Sequence, residues 1–304
     1  MRFINPKTDF AFKKIFGSER SKGILISFLN ALLYDDQPII ADLEIIDPYL
    51  APRIQGMKDT YVDVRARLQD GRRIIIEMQV LNVEGFEKRV LYNAAKAYST
   101  QLLVGDRYHL LQGVVALTIT DFVMFPDHAD LQSAYALKEK TRLTDYREGD
   151  LELVFVELPK FTKTLEELMT IKDKWLYFLR SAPDLQMIPE KMETVPEIEE
   201  AFQIANQANM SAEELDIQER KMFFILDQRY LNDKHKRLLE EAKEKAMEEG
   251  MEKGMEKGME KGRAEGRTEM AEDIARRLLA HLTDRQIAEI TGLSPDKVAV
   301  LRAE

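Results

Sequence analysis

The chain has 304 residues, 45% of them hydrophobic, enough to bury a substantial core and too many for a disordered protein. It has no cysteine, which removes disulfides, thiolate nucleophiles, thiolate zinc sites and iron–sulfur clusters, so any metal must sit on oxygen or histidine. A net charge of −10 excludes a whole-surface electrostatic grip on nucleic acid, and any such binding must come from a local patch or through bound cations.

The four histidines, His109, His128, His235 and His281, are scattered and show no metal-binding pair. The first residues, Met1-Arg-Phe-Ile-Asn-Pro-Lys-Thr-Asp9, lack a signal-peptide apolar core, and no run of about 18 uncharged apolar residues occurs, so a cytoplasmic chain without membrane association is expected.

In chain order, Thr8 caps a short amphipathic helix over Asp9 to Phe16 that stops at Gly17. Leu25, Phe28, Leu29 and Leu32 predict a second helix from Lys22 to Tyr34. β-Branched runs predict strands over Leu43 to Leu50, Thr60 to Leu68, Ile74 to Val80, Val114 to Thr120 and Leu151 to Leu158. Between the third and fourth of these, Val90, Ala94, Ala97 and Gln101 mark a crossover helix over Glu84 to Val104. Leu165 to Leu179, Val195 to Ala208 and Ala212 to Leu231 read as helices.

Past Asn232 the composition turns to Lys, Glu, Ala and Met, which sets a boundary. The expected organisation is a domain over 1–232, with its sheet core to about 160 and a helical extension over 161–232, then a charged glycine-repeat segment over 233–272. A helix-turn-helix-like end occupies 273–304. Glycines at 250, 254, 258, 262 and 266 fall on one helical stripe, which suits a close helix pair, but each interior Gly costs about 0.8–1 kcal/mol relative to Ala. That cost favours a fraying linker. Gly292 and the Ser294-Pro295 cap give the end its turn, and Lys297 and Arg302 are the cations its second helix would offer DNA. Self-association is an equal use for that segment.

The stretch from Thr60 to Val80 reads as a hairpin around Gln69-Asp70-Gly71. A three-residue loop with Gly71 in the left-handed place sets Leu68 opposite Arg72, Ala66 opposite Ile74, Val64 opposite Ile76 and Val62 opposite Met78, one continuous apolar face. Asp63 then faces Glu77 on the other side, with Cβ atoms about 4.5–5.5 Å apart. Like charges that close call for a proton or a cation, and two carboxylates with waters suit Mg²⁺ or Mn²⁺. Gln79 lies on the same face and can orient a water or phosphate oxygen but cannot titrate. From spacing alone, a solvated polar face accounts for the same residues.

Asp63 followed by Glu77-Met78-Gln79 resembles the PD-(D/E)XK nuclease signature, in which a Lys usually stands where Gln79 does. Asn5-Pro6, Asp9, Phe12-Lys13, Phe16-Gly17, Phe28-Leu29-Asn30, Arg89, Tyr98, Gln101-Leu102 and Gly105 together resemble the recombination-promoting nuclease (Rpn) and transposase family over about residues 3 to 230. The resemblance implies an α/β restriction-endonuclease-like core with a mixed sheet, followed by a helical extension and a charged helical tail. It implies a Mg²⁺- or Mn²⁺-dependent DNA endonuclease with a part in recombination, with catalytic Asp63, Glu77, Gln79 and Asp9, the metal on Asp63 and Glu77. Lys13, Lys58, Arg89 and Gln101 are expected to meet the nucleic acid. The alternative is an inactive DNA-binding or oligomeric adaptor working through its tail.

Overall fold

The computed structural model describes residues 1–50, 60–146 and 149–304. Helix α1 (Asp9–Phe16) starts where the Thr8 hydroxyl accepts the Ala11 N–H and ends where the Gly17 N–H reaches the Lys13 carbonyl. Helix α2 (Lys22–Tyr34) follows, then strands β1 (Leu43–Ile46), β2 (Tyr49–Leu50), β3 (Thr60–Tyr61), β4 (Val64–Leu68) and β5 (Arg73–Gln79). Helix α3 (Phe86–Ser99) connects to β6 (Val114–Thr120), β7 (Gln132–Ala136) and β8 (Leu151–Glu157), and helices α4 (Ile171–Ser181), α5 (Glu190–Glu193), α6 (Pro196–Ala205), α7 (Ala212–Leu278), α8 (Asp284–Thr291) and α9 (Pro295–Ala303) complete the chain.

One six-stranded sheet has the order β1-β4-β5-β6-β8-β7, with β5, β6 and β8 parallel and the outer pairs antiparallel, the mixed sheet expected. Every residue of β6 is buried, as its unbroken apolar run demands of a strand covered on both faces. Side chains alternate across β5: Ile74, Ile76 and Met78 join the core beneath α1, α2, α4 and α6, whereas Ile75 joins the second core against α3 with Phe86, Val90 and Ala94. Phe16, Phe28 and Trp175 anchor the larger core, with ring centroids 4.5 Å apart for Phe16–Phe28 and 5.5 Å for Phe28–Trp175. Each such side chain contributes about 1.5–3 kcal/mol on burial.

Two predicted strands are each divided. Leu43 to Leu50 breaks at Pro48, which has no N–H for a ladder, and Thr60 to Leu68 breaks at Val62-Asp63. The fragments β2 and β3 pair as a separate two-stranded sheet. Strand β7 is absent from the sequence reading because it is an outer strand with mostly exposed side chains and no apolar alternation. The helix expected from Leu165 begins at Ile171, where Thr170 and Asp173 form a capping box; Leu168 is buried from the preceding loop.

The chain divides into two units, Met1–Arg229 and Tyr230–Glu304. The second holds the remainder of α7 with α8 and α9, around a small core of Ala275, Ile287, Val298 and Leu301. Gly292 turns between the last two helices at φ +75° and Ser294 caps α9. The segment expected to fray is helical throughout, in keeping with the high helix propensity of its Glu, Lys, Ala and Met. A Cβ added at any of its five striped glycines would meet nothing within 4 Å. Among the described residues no helix is long and apolar enough to cross a membrane.

Candidate active site

The hairpin register follows the loop argument as far as Val64. Val64 pairs with Ile76, Arg65 with Ile75, Ala66 with Ile74 and Arg67 with Arg73, and the Leu68 N–H meets the Arg72 carbonyl at 2.8 Å. Beyond Val64 the expected pairing fails. The Asp63 N–H bonds to the carbonyl of Ile76 at 3.0 Å, so Asp63 and Val64 share one partner, which is a β-bulge. The extra residue reverses the alternation: Val64 lies in the core under α1, but Val62 lies in the α3 core beside Leu50 and Ile75. Asp63 therefore does not stand directly opposite Glu77, nor Val62 opposite Met78, as the unbroken register predicted.

The bulge aims Asp63 at α1. Its Oδ2 accepts the Met78 N–H at 2.7 Å, its carboxyl shares a hydrogen bond with that of Asp9, and the Lys13 Nζ lies 3.7 Å from its Oδ1 and 2.6 Å from Asp9. Burial, followed by the Asp9 hydrogen bond, pushes the Asp63 carboxyl up to about 8. Burial also acts to raise Asp9, but its hydrogen bonds with Asp63 and Lys13 outweigh that and hold it below its ordinary value. At neutral pH one proton lies between the two carboxyls. A hard cation could take that proton's place on the same oxygens, so this pair fits a divalent ion.

Glu77 and Gln79 emerge on the α3 face of β5. Arg89 donates to Glu77 Oε1 and to Gln79 Oε1, the latter at 2.7 Å, while the Gln79 amide nitrogen donates to the Leu81 carbonyl at 2.7 Å. Burial raises the Glu77 pKa, and the Arg89 charge opposes it. Asn93, one turn beyond Arg89, is buried; its Nδ2 points to Glu77 Oε2 at 3.5 Å, and its Oδ1 has no partner among the described residues. A buried acceptor in that state is open to a donor such as water or to a cation, a second point of fit. Among the described residues no three acidic or histidine side chains converge on one point.

Asp9, Lys13 and Asp63 are thus brought together on one side of the Met78 backbone, and Glu77, Gln79 and Arg89 on the other. Gln101 belongs to neither group. Its amide is occupied at both ends by the backbone of Gln112, at 2.8 and 2.9 Å, which clamps the turn into β6 at the end of the sheet where Arg73 meets Val114, whereas Gln79 meets Thr120 at the other. Lys58 lies outside the described residues. Sequence reasoning missed Asn93 and Lys96. Both are buried, and Lys96 donates to the Thr60 hydroxyl at 3.3 Å. The signal was present, since Arg89, Asn93 and Lys96 recur at helical spacing among the apolar residues of α3.

In the C-terminal unit the cations expected to face DNA have internal partners. Arg302 binds Asp284 and the Leu279 and Leu282 carbonyls, and Lys297 pairs with Glu272 at 3.1 Å.

Comparison with curated proteins and with solved structures finds no match. A family profile described as PD-(D/E)XK nuclease family transposase matches residues 6–235, about three quarters of the chain and the whole of the sheet with its acidic cluster. The chain belongs to the PD-(D/E)XK nuclease family transposases.

Proposed function

We propose that the chain is a metal-dependent DNA endonuclease. Asp63 would hold a Mg²⁺ or Mn²⁺ ion together with Asp9, on the oxygens that now share a proton. Glu77, on the other side of the Met78 backbone, would have to leave Arg89 to join as the second metal carboxylate of the family pattern, and Gln79 would position water or a phosphate oxygen. The observation that carries this reading is the contact of Asp63 with Asp9, because two carboxyl groups that close repel unless a proton or a cation lies between them, and a divalent ion would take the place that the proton and Lys13 now fill. Family membership supports the nuclease chemistry itself.

When bound, the ion lowers the pKa of a coordinated water and stabilises charge on the phosphate under attack. Asp63 is held by the Met78 N–H, so its orientation is fixed by the strand it faces. Lys13 brings positive charge to the acidic pair, a placement in which it can compensate for the amide at Gln79 where the wider family has Lys. Arg89 neutralises Glu77 in the absence of other cations and is placed to accept a phosphate in exchange.

The test is conversion of supercoiled plasmid to nicked and linear forms with Mg²⁺ or Mn²⁺. Asp63→Ala and Glu77→Ala should each lower the rate by about 100-fold or more while circular dichroism stays native. Undiminished cutting in either variant rejects the assignment.

A further inference from the structure

Beside the Glu77 group a cleft of about 420 Å³ opens between Thr60 of β3 and the first turns of α3, lined by Val83, Phe86, Lys88, Arg89 and Tyr92. Its volume falls within the roughly 300–1,000 Å³ of small-ligand sites. Apolar and aromatic walls alternate here with cations. Tyr92 is partly exposed, Lys88 is exposed, and the Arg89 guanidinium lies 5.0 Å from the Phe86 ring centroid. Arg89 belongs at once to this cleft and to the Glu77–Gln79 pair, and its Nε–H is buried with no acceptor among the described residues. The cleft therefore adjoins the acidic group through Arg89, and a donor at their junction has no acceptor among the described residues.

We propose that this cleft seats an unpaired nucleotide of the DNA strand being cut, so that single-stranded or frayed DNA is preferred over intact duplex; the inference rests on the nuclease reading above. A base inside a duplex presents its edge, not its face, and cannot enter such a cleft without leaving the stack. An unpaired base offers a π-face to Tyr92, and its flanking phosphates fall to Lys88 and Arg89, the combination of stacking and local cations by which single strands are bound. A net charge of −10 requires any hold on phosphates to come from a local set of cations such as Lys88 and Arg89. Glu84 also lines the cleft, so the phosphates run along the Lys88 and Arg89 side.

The experiment is fluorescence anisotropy of the full chain in chelator, with labelled oligothymidylate alone or annealed to its complement. The single strand should bind at least about tenfold more tightly. Tyr92→Ala should remove most of that preference with an unchanged melting temperature, Tyr92→Phe should retain it, and Lys88→Glu, at an exposed position, should weaken single-strand binding and flatten its salt dependence. Equal affinity for the two forms, or an unaltered preference in Tyr92→Ala and Lys88→Glu, overturns the proposal. Thymidine monophosphate competing as well as the oligonucleotide would make this a mononucleotide site and overturn it too. Cutting that depends on metal and Asp63 without any Tyr92-dependent preference would remove the cleft and keep the nuclease. A Tyr92-dependent preference in a chain that cuts nothing would do the reverse.

Discussion

Asp63, the residue on which the proposed chemistry rests, also carries a measurable cost. Its folded value, near 8, lies above the ordinary 3.8, so between those values the native state keeps a proton that the unfolded chain has lost. Stability in chelator should therefore fall as pH rises from about 4 to about 8 and level off beyond. Asp9 acts in the opposite sense, but its stabilisation is complete above its ordinary 3.8 and is lost only at lower pH, so it does not offset that window. Asp63→Asn should flatten the slope of urea stability against pH, and a slope of the same size in the variant would contradict the assignment. Arg89→Ala leaves the partly buried Glu77 carboxylate without its cation and should cost about 1–3 kcal/mol in urea unfolding at neutral pH, which an unchanged midpoint would refute. Spacing led to Asp63 opposite Glu77, which the bulge overturns, and Asp9, whose carboxyl meets that of Asp63, was singled out only by family resemblance. Their partners were not legible, because one backbone hydrogen bond at Ile76 decides which helix Asp63 meets, and no side-chain pattern records it.

The hairpin is the element that sets the site. Gly71 stands at φ +88° with Gln112 atoms 3.1 Å from where a Cβ would be, so Gly71→Ala should destabilise by about 1–2 kcal/mol. Urea unfolding measures this; a neutral substitution would show that the loop does not fix the register. That register was readable because loop length and the Val64, Ala66 and Leu68 alternation agree. The bulge was hidden for the opposite reason: Val62 is apolar and is buried on either face, so composition is indifferent to the reversal. Strand β7, exposed along most of its length, gave no apolar signal, and the early start expected for α4 came from Leu165 and Leu168 packing as loop residues.

At the scale of the whole molecule, the sheet, both large cores and every proposed site residue lie in the unit Met1–Arg229, and the family match ends at residue 235. A chain truncated after residue 235 should accordingly fold and retain metal-dependent cutting, and loss of cutting from a truncated chain with native circular dichroism would place an essential group in the tail. The change of composition past Asn232 was plain in the sequence, whereas the fate of the glycine stripe was not, since helix propensity and glycine entropy nearly cancel there. The central claim is that Asp63 belongs to a divalent-ion site, and thermal unfolding with and without Mn²⁺ tests it most directly. An ion at about 100 times its Kd adds about 2.7 kcal/mol to the folded state, or a rise of roughly 5–10 °C for a unit of this size. The account predicts that rise in the native chain and its loss in Asp63→Asn; an equal rise in both, or none in the native chain, would contradict it.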